Sequence, residues 1–203
     1  MRACVVTVLL VTLLAAGTVQ QAPVPAPARV IPQELLDLVK KQFGPAYKVV
    51  DDFAPVFLTG DLNGDGIEDA VIVGRSKNPI VDAKEFGYRV LDPHHAYFGF
   101  GDPKVTYEFN LRDPLRNRFL LVIHGAGQEG WRAATPKEKF VLINIPFDRL
   151  AIGRILVKKK VMRAISAEET SILTSAIYWD GKKYKWEPNM LPAVDPETEG
   201  EKN

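Results

Sequence analysis

The chain is almost without cysteine. The one cysteine among its 203 residues is Cys4, so no disulfide framework is available. The fold must rest on its core, with help from a metal if one binds. A surplus of either charge is missing as well. Of the 26 basic residues only Arg2 falls in residues 1–17, and none of the 25 acidic residues does, so the rest of the chain is neutral. Nucleic-acid binders carry a basic excess because phosphate contact dominates their affinity. No nucleic-acid partner is therefore expected, nor strong steering toward a partner of either sign. Long apolar runs are absent too. The run over residues 3–16 is short of the ~20 residues a membrane-spanning helix needs. No unit recurs at a period of about 20–50 residues, which argues against a propeller built within this chain.

What is present begins with an export signal. Met1-Arg2 gives a positive start, residues 3–16 an apolar core, and Ala15-Ala16-Gly17 the small residues a signal peptidase needs. Residues 1–17 are expected to be removed, leaving no membrane span and an exported chain, periplasmic or extracellular. Cys4 lies at the start of the signal, whereas a lipidation cysteine would stand at the cleavage point after the apolar core. Residues 18–29 are rich in Pro and Ala and read as a linker. Residues 192–203 are polar and acidic and read as a disordered tail. A single domain is expected over residues 30–191.

Within it, one helix is well marked. Pro32 suits a first helical position, and Leu35, Leu36, Val39 and Phe43 share a face. Lys40 and Lys41 suit the last turn, and Gly44-Pro45 stops it. Short β-branched and aromatic runs predict strands at 47–50, 56–59, 70–73, 96–100, 105–109, 119–124, 140–145, 152–158 and 171–179. A closing hairpin turns at Asp180-Gly181. A two-residue turn there places Ile177 opposite Tyr184, with Ile177, Trp179, Tyr184 and Trp186 on one face. The fold class expected is α+β: a mostly antiparallel sheet, an N-terminal helix packed on it, and one β-loop-β.

That loop is Asp61-Leu62-Asn63-Gly64-Asp65-Gly66-Ile67-Glu68-Asp69. Oxygen-bearing side chains stand at loop positions 1, 3, 5 and 9 as Asp61, Asn63, Asp65 and Asp69. Gly66 permits a sharp turn, and the Ile67 carbonyl can supply a further ligand. Carboxylates, an amide oxygen, a carbonyl and water make a hard oxygen cage, which suits one Ca²⁺ better than Mg²⁺. An EF-hand is excluded, because position 12 is Ile72 and the flanks are strands. The pattern D-x-N-x-D-G-x-x-D between two strands resembles the calcium loops of FG-GAP/VCBS-type repeats, over about residues 56–74. The resemblance implies calcium held between two strands by these aspartates and the asparagine. Here the loop occurs once. The 178–184 hairpin also resembles the closing hairpin of some small secreted proteins with one such loop.

Other constellations read as structure. Gly125-Ala126-Gly127-Gln128-Glu129-Gly130 fits G-x-G-x-x-G but leaves no room for the helix a dinucleotide site requires, so a flexible glycine loop is expected. His124-Gly125-Ala126-Gly127 looks like an oxyanion-hole segment, yet none of Ser76, Ser166, Ser171 and Ser175 sits in a nucleophile elbow. Asp92, His94 and His95 want a further metal ligand and read as a solvated loop. Asp51-Asp52 and Glu168-Glu169 read as surface charge, the first adding negative potential near the loop. Lys158-Lys159-Lys160 reads as a strand end facing water. Trp131, Trp179 and Trp186 read as core before they read as a sugar-stacking platform. The function expected is a non-enzymatic exported domain with one structural Ca²⁺ that recognises a protein or a glycan. The competing reading is a hydrolase of envelope material with the ion as a support.

Overall fold

The computed structural model describes residues 30–100, 117–170 and 173–188. Helix α1, Gln33–Phe43, forms where the 3.6-residue spacing predicts it. Pro32 stands one position before the first helical residue. Gly44 ends the helix with φ at 92°, its amide bonded to the Lys40 carbonyl. Leu35, Val39 and Phe43 are buried, whereas Leu36 is 37% exposed. Leu36 lies off the buried stripe, and Gln42 takes a buried place instead.

Two sheets follow. The first contains β1 (Lys48–Val49), β2 (Phe57–Gly60), β3 (Asp69–Arg75), β4 (Arg89–Leu91), β5 (Phe119–His124) and β6 (Glu138–Leu142). Its order is β1-β3-β5-β6-β4, with β2 also paired to β3. Among the described residues its pairings are antiparallel except β4 with β6. The second sheet is an antiparallel meander of β7 (Arg149–Val157), β8 (Lys160–Thr170), β9 (Leu173–Trp179) and β10 (Tyr184–Pro188). This is the expected α+β class with a mostly antiparallel sheet and an N-terminal helix.

The period of two along each strand builds the layers. Val71 and Val73 of β3 and Leu120 and Val122 of β5 face the second sheet, against Ile165, Ile177 and Trp179. Their neighbours Ala70, Ile72, Leu121 and Ile123 face α1, against Leu35, Val39 and Phe43. Every residue of β5 is buried, as a strand sandwiched on both faces must be.

Three expectations change. Residues 96–100 are not a strand. After the single turn of helix α2, Ala83–Phe86, helix α3, Pro93–Tyr97, occupies the region, because Pro93 opens it and the Asp92 side chain accepts the His95 amide at 2.9 Å. That cap outweighs the aromatic β-propensity. The segment is also no solvated loop: Asp92 is 1% exposed, with His95 Nδ1 at 3.0 Å and Asn144 Nδ2 at 2.6 Å. Second, Tyr184 pairs with Trp179 and Trp186 with Ile177. The loop spans Asp180 to Lys183, closed by the Asp180 amide on the Lys183 carbonyl, while Asp180 Oδ1 accepts the Lys182 and Lys183 amides. This register is two residues from the expected one, so parity survives and the four predicted residues still share the core face. Third, β8 forms between the strands expected at 152–158 and 171–179, where no element is expected. The predicted strand at 105–109 lies outside the described residues.

Candidate metal centre

The loop between β2 and β3 is a β-loop-β, closed by Gly60 opposite Asp69. Its aspartates organise their own backbone. Asp61 Oδ1 accepts the Gly64 amide at 2.7 Å and the Asp65 amide at 3.1 Å, and its Oδ2 accepts the Gly66 amide at 2.9 Å. Asn63 Oδ1 accepts the Asp65 amide, and Asp65 Oδ1 accepts the Ile67 amide. Gly64 and Gly66 hold φ at 77° and 82°, the left-handed region that glycine enters without steric cost. The donors Asn63 Nδ2 and Lys137 Nζ reach Asp65 Oδ2 at 3.1 and 3.0 Å.

Asp69 differs from the others. It is fully buried, and its two oxygens accept the Leu62 amide at 2.8 Å and the Gly125 amide at 2.9 Å. No cationic side chain pairs with it among the described residues. Burial pushes its carboxyl up to about 6, helped by the nearby charges of Asp65 and Asp61, while the two amides pull it down. In Asp65, burial is outweighed by the Lys137 ammonium and the Ile67 amide, which hold its carboxyl below the usual carboxylate range.

The donor set suits a hard cation. An ionised carboxylate offers about four lone-pair sites, and the amide contacts leave capacity on Asp61 and Asp69. No described N–H is donated to the Ile67 carbonyl. Among the described residues no three His, Cys, Asp or Glu side chains already meet as a ligand group. Asp61, Asn63 and Asp65 lie at or near the surface.

A second loop braces this one. Gly125 and Gly130 flank a 3₁₀ turn at Gly127–Glu129, and the Ala126 amide bonds to the Gly130 carbonyl. A Cβ on Gly125 would stand 2.3 Å from the Glu68 carbonyl oxygen and 2.6 Å from the Gly130 carbonyl carbon. One on Gly130 would stand 2.9 Å from the same oxygen. Here the glycines serve close approach of two backbones, which corrects the expectation of a flexible loop. Trp131 Nε1 donates to Glu68 Oε2 at 2.9 Å, and the Trp131 ring packs edge-on against Phe57 at 5.0 Å. Glu68 thus ties the two loops together.

Beneath them lies His124, 1% exposed, its Nε2 2.7 Å from the Tyr184 hydroxyl and its ring against Phe140 and Trp179. Glu138 Oε2 lies 3.7 Å from Nδ1, which favours the proton on Nδ1 and makes Tyr184 the donor. Burial pushes the imidazole down to about 4, and the Tyr184 hydroxyl is held well above its usual range by burial too. The pair is a neutral hydrogen bond inside an aromatic core.

Of the predicted ligands, Asp61, Asn63, Asp65, Ile67 and Asp69 share one hairpin loop. Sequence reasoning missed Gly125, Lys137 and Trp131, which come from segments far along the chain; the paired glycines at 125 and 130 were the available signal. Asp52 is not near the loop. It pairs with Arg75 at 2.9 Å and with Arg118 at 3.8 Å, and Arg75 ends β3 about 20 Å from Asp69. No family model, curated protein or solved structure matches this chain.

Proposed function

We propose that the chain is an exported, non-enzymatic domain whose loop 61–69 holds one structural Ca²⁺. The ligands are Asp61, Asn63, Asp65, Asp69 and the Ile67 carbonyl, and the domain serves recognition of a protein or a glycan. One observation carries the reading: a fully buried carboxylate, Asp69, sits beside two further carboxylates with only amides against it. A buried charge without a counter-charge is costly, and a divalent ion supplies the missing charge. Removing the ion returns the repulsion, so its binding free energy becomes folding free energy.

The test is thermal unfolding in EDTA, calcium and magnesium. With the ~0.1–1 mM affinity of extracellular modules, about 10 mM calcium adds about 1.4–2.7 kcal/mol. In a domain of this size that raises Tm by about 3–10 °C. Magnesium should give less. Asp65→Ala should remove the response, and Glu68→Ala should keep most of it, because position 8 faces Trp131. Equal effects of the two substitutions would sink the ligand assignment.

Acidification offers a second check. The Asp69 carboxyl rises from 3.8 to about 6, so this group favours the ion-free fold below pH 3.8 and loses that contribution as pH rises through 6. The His124 ring falls from 6.5 to about 4, so its contribution is present above 6.5 and is lost as pH falls toward 4. Of these two groups only Asp69 is a proposed ligand, and a proton on its carboxylate competes with calcium. The Tm increment from calcium should therefore shrink as pH falls through about 6. An increment constant from about pH 7 to about pH 5 contradicts Asp69 as a ligand.

A further inference from the structure

A groove of about 810 Å³ runs between α3 and the tips of the β7–β8 and β9–β10 hairpins. Its charged lining is Lys158, Lys160, Lys183 and Lys185 against Asp180 and Glu187. Both carboxylates are engaged. Asp180 accepts its own turn amides and lies 3.9 Å from Lys185 Nζ, and Glu187 accepts the Tyr178 hydroxyl at 3.0 Å. Among the described residues Lys158, Lys160 and Lys183 have no carboxylate partner. In a chain with a formal charge of +1, this is a local positive field that favours an anion.

Two details add to the charge. The β7–β8 turn is Lys158-Lys159, with φ at 48° and 68°. Such a turn is the usual place for Asn-Gly, yet here lysines hold a conformation L residues rarely adopt, and backbone strain of that kind collects at ligand-binding sites. Trp186 also lines the groove, and its Nε1–H is buried with no acceptor.

The uncharged lining selects among anions. Tyr97 is 51% exposed and packs edge-on to Trp186 at 5.1 Å and 71°, beside Val157 and Met162. An exposed aromatic ring beside apolar side chains suits the C–H face of a pyranose, while the lysines suit its carboxylates. An acidic peptide would ordinarily add a strand to a sheet edge. The outer strands of this sheet are β10 and β7: β10 lies against α3, with Trp186 packed on His94 and Tyr97, and β7 lies against β2.

We infer that this groove is a binding site for a carboxylated oligosaccharide, gripped by the two lysine-bearing hairpin tips and stacked on Tyr97. The site uses no residue of loop 61–69, so it stands or falls apart from the calcium reading.

The test is calorimetric titration of the full chain in calcium with a short oligogalacturonate, a neutral maltooligosaccharide of equal length, and poly-L-glutamate. The oligogalacturonate should bind, and added salt should weaken it. The neutral sugar and the peptide should each bind at least about tenfold more weakly. Lys158→Glu with Lys183→Glu should weaken oligogalacturonate binding about tenfold or more, as should Tyr97→Ala, with a cooperative thermal melt retained as proof of folding. Should the double variant fail to melt cooperatively, Lys160→Glu replaces it. No binding of oligogalacturonate overturns the proposal. Equal binding of poly-L-glutamate overturns the sugar assignment, and binding untouched by the folded variants overturns the location.

Discussion

Asp69→Ala is expected to abolish the calcium response and to weaken the ion-free fold at the same time. The substitution strips the acceptor from two buried amides, Leu62 and Gly125. Each orphaned buried donor costs about 1–3 kcal/mol, partly offset by relief of a buried charge. The net loss should be about 2–4 kcal/mol, or about 4–16 °C in Tm, measured in EDTA. Asp65→Ala is the contrast. Asp65 lies at the loop surface, so its removal should silence calcium with little effect in EDTA. If the two variants behave alike in EDTA, Asp69 is not the junction between the loop and the core.

Gly125→Ala is the second large effect, and it acts through shape alone. The new methyl meets the Glu68 carbonyl oxygen at 2.3 Å and the Gly130 backbone at 2.6 Å. Backbone cannot rotate aside as a side-chain end does, so the cost falls at the upper end of overpacking, about 3 kcal/mol. It should also weaken calcium binding, because the Gly125 amide that orients Asp69 must shift. Gly127→Ala is the control. Gly127 holds φ at 59° with nothing within 4 Å of a Cβ, so only the left-handed penalty of about 1–2 kcal/mol applies. Chemical denaturation of the two variants separates them; equal losses would mean the loops do not brace each other.

These two residues show what local pattern reveals and what it hides. Asp69 was legible because carboxylates at loop positions 1, 5 and 9 have a reason that a turn alone does not supply. Gly125 was legible as a glycine but not as a partner of Glu68, since no spacing rule links segments so far apart in the chain. The same boundary runs through the fold. Helix α1 followed from periodicity, and strands β2, β3 and β5 from short runs of β-branched and apolar residues between turn formers. The closing hairpin kept its face while its register moved by two, since period two records parity and not the length of the Asp180–Lys183 loop. Strand β8 escaped because Met162, Arg163, Ala164, Ala167, Glu168 and Glu169 favour helix intrinsically. Pairing with β7 on one side and β9 on the other overrides that preference. In α3 the reverse occurred: the Asp92 cap and Pro93 decided a segment whose aromatics suggested a strand.

The groove was half legible. Lys158, Lys160 and Trp186 were each visible, but only the meander and α3 place them along one cleft.

The most direct measurement is a calorimetric calcium titration of the metal-stripped chain near neutral pH. One site should appear, with affinity in the ~0.1–1 mM range, weaker for magnesium and lost in Asp65→Ala. Absence of calcium binding, or binding that survives Asp65→Ala and Asp69→Ala unchanged, would contradict an ion held by loop 61–69.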